Sequence, residues 1–277
     1  MTPRRRAHLT PGERPASAAP GAARAAPLHA IYALDTGTVT LDNLGGAAQP
    51  GLSVEARVYS LTGKLLDEQR ASGLRLASQQ VLSNVLTPRV PAVTAPPVPA
   101  RVYFVEPLLR QGSRLVDRNV YWLSTQRDIV NWKASLGNPQ ATMTQYANLR
   151  ALSTLPRAQV SVRASTARRP GPAGADLATT VTITNTSPAR TVAFFLCADV
   201  RRGTACGTGL RGGNKLRGGN ELESSIWAGN DITLWPGESQ TLTVSYDATD
   251  LRGATPVISV SGWNVPRLDI AAPLTSG

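Results

Sequence analysis

Short runs in which apolar and polar side chains alternate dominate the chain after residue 27. In Leu52–Tyr59 the apolar residues stand at every second position, with Ser, Glu, Arg and Tyr at the others. A period of two is typical of a β-strand that buries one face. Three further runs have this character: Thr38–Leu41, Val102–Leu109 and Arg114–Leu123. Short strands separated by turn residues, without a long helical period between them, predict a β-sandwich over residues 28–124.

One part of this first unit has a different pattern. Leu74–Leu86 is strand-like, and the Pro-rich segment Pro88–Pro99 follows it. Because proline cannot donate a hydrogen bond to a sheet, this segment is predicted to cross the surface as a loop.

A second sandwich is predicted over residues 158–277. Its expected strands are Val160–Ala164, Thr179–Asn185, Val192–Val200, Asp231–Trp235, Gln240–Tyr246 and Val257–Trp263. In the third of them, one face is expected to carry Val192, Phe194, Leu196, Ala198 and Val200. Residues 125–157 lack the period of two and predict a linker with short helical turns. The fold class is therefore all-β, with two tandem sandwiches.

The charge and the N-terminal segment narrow the possible partners. Residues 1–27 are rich in Pro, Ala and Arg, are expected to be a disordered tail, and contain no apolar core of a signal peptide. The net charge is +11, but it comes mostly from arginines scattered along the chain, and no nucleic-acid-binding motif accompanies them. No apolar run reaches the roughly 20 residues that span a bilayer. We expect neither a nucleic-acid nor a membrane partner, and the localisation stays open.

Few residues are available for catalysis or metal binding. The only histidines are His8 and His29, and neither is placed to activate a serine or cysteine. Cys197 and Cys206 are too few for a zinc site. They are either a disulfide or two separate thiols. No catalytic residue and no metal site are therefore predicted.

Three features have a structural and a functional interpretation. Glu106 lies in an apolar strand before Pro107, which predicts a bulge or an edge position and a structural role. A six-residue repeat over residues 210–221 is interpreted as a duplicated surface loop, with anion binding as the alternative. Trp227 and Trp235 are the candidate sugar-binding residues, although core packing is the more common role of such tryptophans.

Several motifs resemble the exo-β-D-glucosaminidases of glycoside hydrolase family 2. Arg118-Asn119-Val120-Tyr121-Trp122-Leu123-Ser124 is similar to the family pattern S-R-N-x-Y-W-L-S, with Asp117 in place of the first serine. Further similar segments, in the family's order, are Asp128–Trp132, Gln145–Leu149, Ala151–Pro156, Val192–Phe195, Asn230–Ser239 and Val260–Pro266. A departure is Trp227-Ala228-Gly229-Asn230-Asp231, where the family usually has Trp-Ser-Asp-Asn-Asp.

The resemblance extends from Ala26 to the end and concerns the last two domains of the family. It implies two immunoglobulin-like sandwiches, no cofactor, and catalytic carboxylates that belong to a TIM barrel preceding Pro27. The implied partner is that barrel, missing or separately encoded, and the implied function is a non-catalytic accessory role in a truncated or split enzyme. The alternatives are a free-standing carbohydrate-binding module with a glycan ligand and a docking subunit for a separate barrel.

Overall fold

The computed structural model describes residues 27–137, 140–170, 174–203, 221–222 and 224–275. The expected N-terminal tail, Cys206 and nearly all of the six-residue repeat lie outside these residues. The chain divides into two compact units, and the described residues of these units are mainly 27–156 and 157–275. No helix in the described ranges has the length and apolar character needed to cross a membrane.

Two antiparallel sheets form the first unit. Its strands are β1 (Leu28–Ala33), β2 (Thr38–Asn43), β3 (Gln49–Ser60), β4 (Leu65–Leu76), β5 (Val81–Leu86), β6 (Val102–Gln111), β7 (Arg114–Arg118) and β8 (Tyr121–Ser124). One sheet has the order β1-β2-β5, and the other has the order β4-β3-β6-β7 with β8 also paired to β6. Alternate residues of β3 are fully buried, as its period of two predicts.

The C-terminal part of the first unit contains short elements. They are β9 (Ile129–Val130), the helix α1 (Trp132–Ser135), β10 (Met143–Gln145) and a 3-10 helix (Arg150–Thr154). The strands β9 and β10 form a two-stranded antiparallel sheet.

The second unit is also a pair of sheets. Its strands are β11 (Val160–Arg168), β12 (Leu177–Asn185), β13 (Ala193–Arg202), β14 (Ile226–Trp227), β15 (Ile232–Leu234), β16 (Ser239–Tyr246), β17 (Pro256–Ser261) and β18 (Leu268–Ala271). The sheet orders are β11-β12-β16-β14 and β15-β13-β17-β18. Residues from both sheets build one buried core. The predicted all-β fold with sandwich domains is confirmed.

Three local predictions differ from the structure. Leu74–Leu86 is the end of β4 and the whole of β5, because a turn with a left-handed Gln79 (φ 54°) separates them. Arg114–Leu123 is likewise two strands, β7 and β8. Both errors have the same cause, since a continuous alternation of side chains does not reveal a short change of direction.

The face of β13 is the third difference. Leu196, Ala198 and Val200 belong to the buried core as predicted, and Val192 and Phe194 are also buried, but it is Ala193 that joins this core cluster and not Phe194. Between Ala193 and Leu196 the pairing with β15 shifts by one residue, and Phe195 has a left-handed φ of 52°. This β-bulge shifts the alternation, so that Ala193 and Leu196 share the core although they are three residues apart.

Candidate functional site

Glu106 forms a buried ion pair with Arg118. Nε and Nη2 of Arg118 both lie 2.7 Å from the same carboxylate oxygen, Oε1 of Glu106. The side chains are 1% and 6% exposed. The prediction of an edge position is wrong, because β6 lies between other strands. No bulge interrupts its pairing with β3, which is regular from Tyr103 to Gln111. The expected structural role agrees with this buried pairing.

The neighbours of Arg118 are buried as well. Asp117 is 0% and Asn119 3% exposed, and the Asn119 side-chain amide donates to the backbone oxygen of Ala30 at 3.1 Å. The backbone N–H of Asn119 donates to the oxygen of Pro107 at 3.2 Å. The motif that carries the family resemblance thus contributes to the interior of its unit. Sequence reasoning missed Arg118 as the partner of Glu106, although the arginine in that motif was the available signal.

The tryptophans occupy very different environments. Trp235 is only 8% exposed, and Trp227 is half-buried and packs against the core of the second unit. These positions favour core packing for the two candidate sugar-binding residues. By contrast, Trp132 is 75% and Trp263 47% exposed.

Cys197 lies half-buried on β13, opposite Ser261 of β17. Burial, together with the nearby carboxylates of Asp231 and Asp199, raises the pKa of the Cys197 thiol to about 12. Such a thiol is almost entirely protonated at neutral pH and is a poor nucleophile. Whether it pairs with Cys206 stays a prediction.

Asn230 lies just before β15 in the chain and hydrogen-bonds to a part of β13 that β15 does not reach. Its side-chain oxygen accepts from the N–H of Ala198 at 2.8 Å, and its side-chain nitrogen donates to the oxygen of Ala198 at 3.0 Å. The amide therefore replaces a neighbouring strand at this position. Its place in the closing similar segment is explained by this backbone role.

Two carboxylates lie on the same sheet, on either side of Ser259 in the pairing register. Asp199 of β13 and Asp269 of β18 are both register partners of Ser259 of β17. Burial and the nearby Glu221 raise the pKa of Asp199. Burial also opposes ionisation of Asp269, but hydrogen bonds from Arg267 and Ser259 outweigh it and lower the pKa of Asp269.

Asp269 has an ordinary structural partner. Arg267 binds both oxygens of Asp269, at 2.8 Å and 2.9 Å. Among the described residues, no group of three or more His, Cys, Asp or Glu side chains is arranged to hold a metal ion. Asp269 and Arg267 are therefore best described as an ion pair on the sheet.

Three of the most exposed large apolar side chains among the described residues, together with the half-exposed Ile129, lie in the short elements at the end of the first unit. Ile129 is 50%, Trp132 75%, Leu136 87% and Tyr146 68% exposed. We call these four residues the exposed apolar cluster. The helix α1, which carries Trp132, has no buried residue.

This region is nevertheless held by specific hydrogen bonds. The Asn131 side chain accepts from the N–H of Ala134 at 3.0 Å and caps α1. The hydroxyl of Ser135 donates to the backbone oxygen of Asn131 at 2.7 Å and accepts from the N–H of Thr142 at 2.9 Å. The Asp128 carboxylate accepts from the N–H of Ala147 at 2.6 Å. The cluster is thus presented by an ordered framework.

The known proteins to which this chain is similar are described as exo-β-D-glucosaminidases. Residues 138–207 and 214–265 match the family described as "Exo-beta-D-glucosaminidase Ig-fold domain". The chain is 34% identical over 249 residues to an exo-β-D-glucosaminidase of Streptomyces avermitilis, covering 89% of this chain and 25% of the relative. It is 33% identical over 243 residues to the exo-β-D-glucosaminidase of Amycolatopsis orientalis, covering 86% of this chain and 21% of the relative.

A solved structure shows the same fold. The crystal structure of Amycolatopsis orientalis exo-chitosanase CsxA matches with a TM-score of 0.73 and 30% sequence identity, over 89% of this chain and 26% of that chain. A substituted variant of that enzyme, solved with PNP-β-D-glucosamine, matches equally well. This chain thus spans about a quarter of the length of the relatives it matches, and the matched part is their C-terminal part. Residues 138–207 and 214–265 are thus similar to the exo-β-D-glucosaminidase Ig-fold domain family, and most of the chain is similar to the C-terminal part of these relatives.

Proposed function

We propose that this chain is a non-catalytic accessory part of a family 2 glycoside hydrolase that acts on β-glucosaminides. It supports a catalytic region that corresponds to the other three quarters of the relatives, in the same polypeptide or as a separate subunit. The observation that carries this proposal is the extent of the match, which covers 89% of this chain but only 25% of the Streptomyces avermitilis relative.

The chemistry of the described side chains supports an accessory role. A glycosidase needs two carboxyl groups that face each other across a sugar, about 5 to 9.5 Å apart. The buried carboxylate of Glu106 is bound by Arg118, and both oxygens of Asp269 are bound by Arg267. These groups stabilise the two units, which is what an accessory domain requires.

The test is a hybrid enzyme. In the Amycolatopsis orientalis exo-chitosanase, the matched C-terminal quarter is replaced by this chain, and hydrolysis of PNP-β-D-glucosamine is measured. The matched controls are the same enzyme without that quarter and this chain alone. We expect the hybrid to be folded and active, the shortened enzyme to be inactive or unstable, and this chain alone to release no nitrophenol.

Two outcomes would contradict the proposal. Hydrolysis by this chain alone would show that it is an enzyme in its own right, if the activity persists after contaminating enzymes are removed. A hybrid as unstable and inactive as the shortened enzyme would show that this chain does not support a glucosaminidase catalytic region.

A carbohydrate-binding module is the second candidate function, and the exposure of Trp132 and Tyr146 favours it. Aromatic rings with a free face can stack on sugar rings. The formal charge of +11 opposes binding of chitosan, which is itself a polycation. Calorimetric titration of the whole chain with glucosamine oligosaccharides distinguishes the two functions, because an accessory structural part is expected to give no heat of binding.

A further inference from the structure

The exposed apolar cluster brings the three most exposed large apolar side chains of the described residues into one short stretch of the chain. Its four large side chains lie within residues 129–146 and are each at least half exposed. A single exposed apolar residue is common, but several in one short region mark an interaction surface. Aromatic residues such as Trp132 and Tyr146 often dominate the binding energy of protein interfaces.

The fold of the first unit does not account for these side chains. The helix α1 contributes no buried residue, so Trp132 adds nothing to the core. Trp132 begins α1, and Leu136 is the residue that follows the end of this helix. On the neighbouring two-stranded sheet, Ile129 pairs with Gln145, and Tyr146 follows Gln145 directly. These short elements are held by hydrogen bonds and leave their apolar side chains exposed at the surface.

We propose that the exposed apolar cluster is the surface by which this chain docks on the catalytic region of a glucosaminidase. The inference rests on the proposed function and names the contact surface it requires. Tyr146 lies within residues 138–207, which match the exo-β-D-glucosaminidase Ig-fold domain family. In those relatives about three quarters of a larger enzyme accompanies the matched part.

A protein partner fits this cluster better than a cationic glycan. A stable protein interface buries about 800 Å² on each side and needs a fully desolvated apolar centre. Trp132 and Leu136, at 75% and 87% exposure, offer such a centre. The order provided by Asn131, Ser135 and Thr142 lowers the entropy that docking would otherwise cost.

The experiment compares the surface of the whole chain with that of the hybrid enzyme defined above. Both are exposed to hydroxyl radicals, and oxidation of each side chain is measured by mass spectrometry. We expect oxidation of Trp132 and Tyr146 to fall at least fivefold in the hybrid. Leu65 and Leu66, which are each 45% exposed on the edge strand β4, are the internal control.

Variants provide an independent measurement. The double variant Trp132→Ser/Leu136→Ser is expected to leave the melting temperature of this chain unchanged, because neither side chain is buried in it. In the hybrid the same variant should lower the melting temperature by about 4 °C or more. The matched control, Leu65→Ser/Leu66→Ser, should change the melting temperature of both proteins by the same amount.

The outcomes separate this inference from the proposed function. An active hybrid in which Trp132 is oxidised as fast as in the chain alone would overturn the docking surface and leave the accessory role intact. An inactive, unstable hybrid would count against both. Binding of glucosamine oligosaccharides that Trp132→Ser abolishes would assign the cluster to a glycan, and concentration-dependent dimerisation lost in the double variant would assign it to a second copy.

Discussion

Arg118 and Glu106 form a charge pair that is almost completely removed from water, with both guanidinium contacts at 2.7 Å. Burial of two charges costs several kcal/mol per ion, and only their close contact offsets this cost. The pair joins β6 to the end of β7 within the first unit. Removal of one partner should therefore destabilise the first unit more than removal of an exposed ion pair would.

The first prediction follows from the cost of leaving one buried charge without its partner. Arg118→Met should reduce the free energy of unfolding of the first unit by about 3–5 kcal/mol, because the buried Glu106 carboxylate loses its cation. Arg168→Met is the control, since its ion pair with Asp176 is largely exposed, and it should cost no more than about 1 kcal/mol. Urea denaturation followed by circular dichroism measures both. Equal effects of the two substitutions would contradict the prediction.

Sequence patterns predicted the strands well and their interruptions poorly. The period of two in Leu52–Tyr59 reports burial directly, and the structure has a strand there. Pro107 was misleading, because proline is typical of edges and bulges, yet here it lies in a regularly paired inner strand. The bulge at Phe195 was invisible because apolar residues occupy both faces of β13 around it.

The candidate surface was harder to predict than the fold. Trp132 lies in a short segment with no clear period, so no pattern distinguishes an exposed tryptophan from a buried one there. The sequence candidates were instead Trp227 and Trp235, and Trp235 is only 8% exposed. Side-chain exposure depends on contacts between distant parts of the chain, which a local pattern does not contain.

A second prediction concerns the close packing at Gly262. A Cβ atom at this position would lie 2.9 Å from Cδ2 of Leu196 and 3.0 Å from the backbone oxygen of Phe194. Because the backbone oxygen cannot move as a flexible side chain does, Gly262→Ala should destabilise the second unit by about 1–3 kcal/mol. Gly46→Ala is a suitable control, since a Cβ there would meet no atom within 4 Å. A neutral Gly262→Ala in thermal denaturation would show that this packing is looser than described.

The third prediction is a pH dependence that comes from Asp231. Burial raises the pKa of Asp231, against the opposing hydrogen bond from Cys197. A carboxyl group with a raised folded-state pKa binds more protons in the folded than in the unfolded protein. Its contribution to stability therefore falls as the pH rises from the ordinary aspartate pKa near 4 through the folded-state pKa.

Asp231→Asn should remove this effect. The amide carries no charge, still accepts a hydrogen bond, and suits the left-handed φ of 56° at this position. We expect the variant to be more stable than the natural chain at pH 7, with a difference that shrinks towards pH 4. Urea denaturation of the second unit at pH 4, 5.5 and 7 measures it. A difference that grows on acidification would contradict the sign.

The last prediction concerns the reactivity of Cys197. Burial first, and then the carboxylates of Asp231 and Asp199, raise the pKa of this thiol to about 12. Only the thiolate attacks a disulfide reagent, so a free cysteine with a pKa of about 8.5 has on the order of 10³ times more reactive form at pH 8. In the variant Cys206→Ser, where Cys197 is the single thiol, reaction with DTNB should be about 10³-fold slower in the folded protein than in 6 M urea. Asp231→Asn in the same background removes one of the charges that oppose the thiolate, and it should therefore speed the reaction of the folded protein. If Cys197 instead reacts as fast in the folded as in the unfolded chain, the thiol is not shielded by β13 and its neighbours.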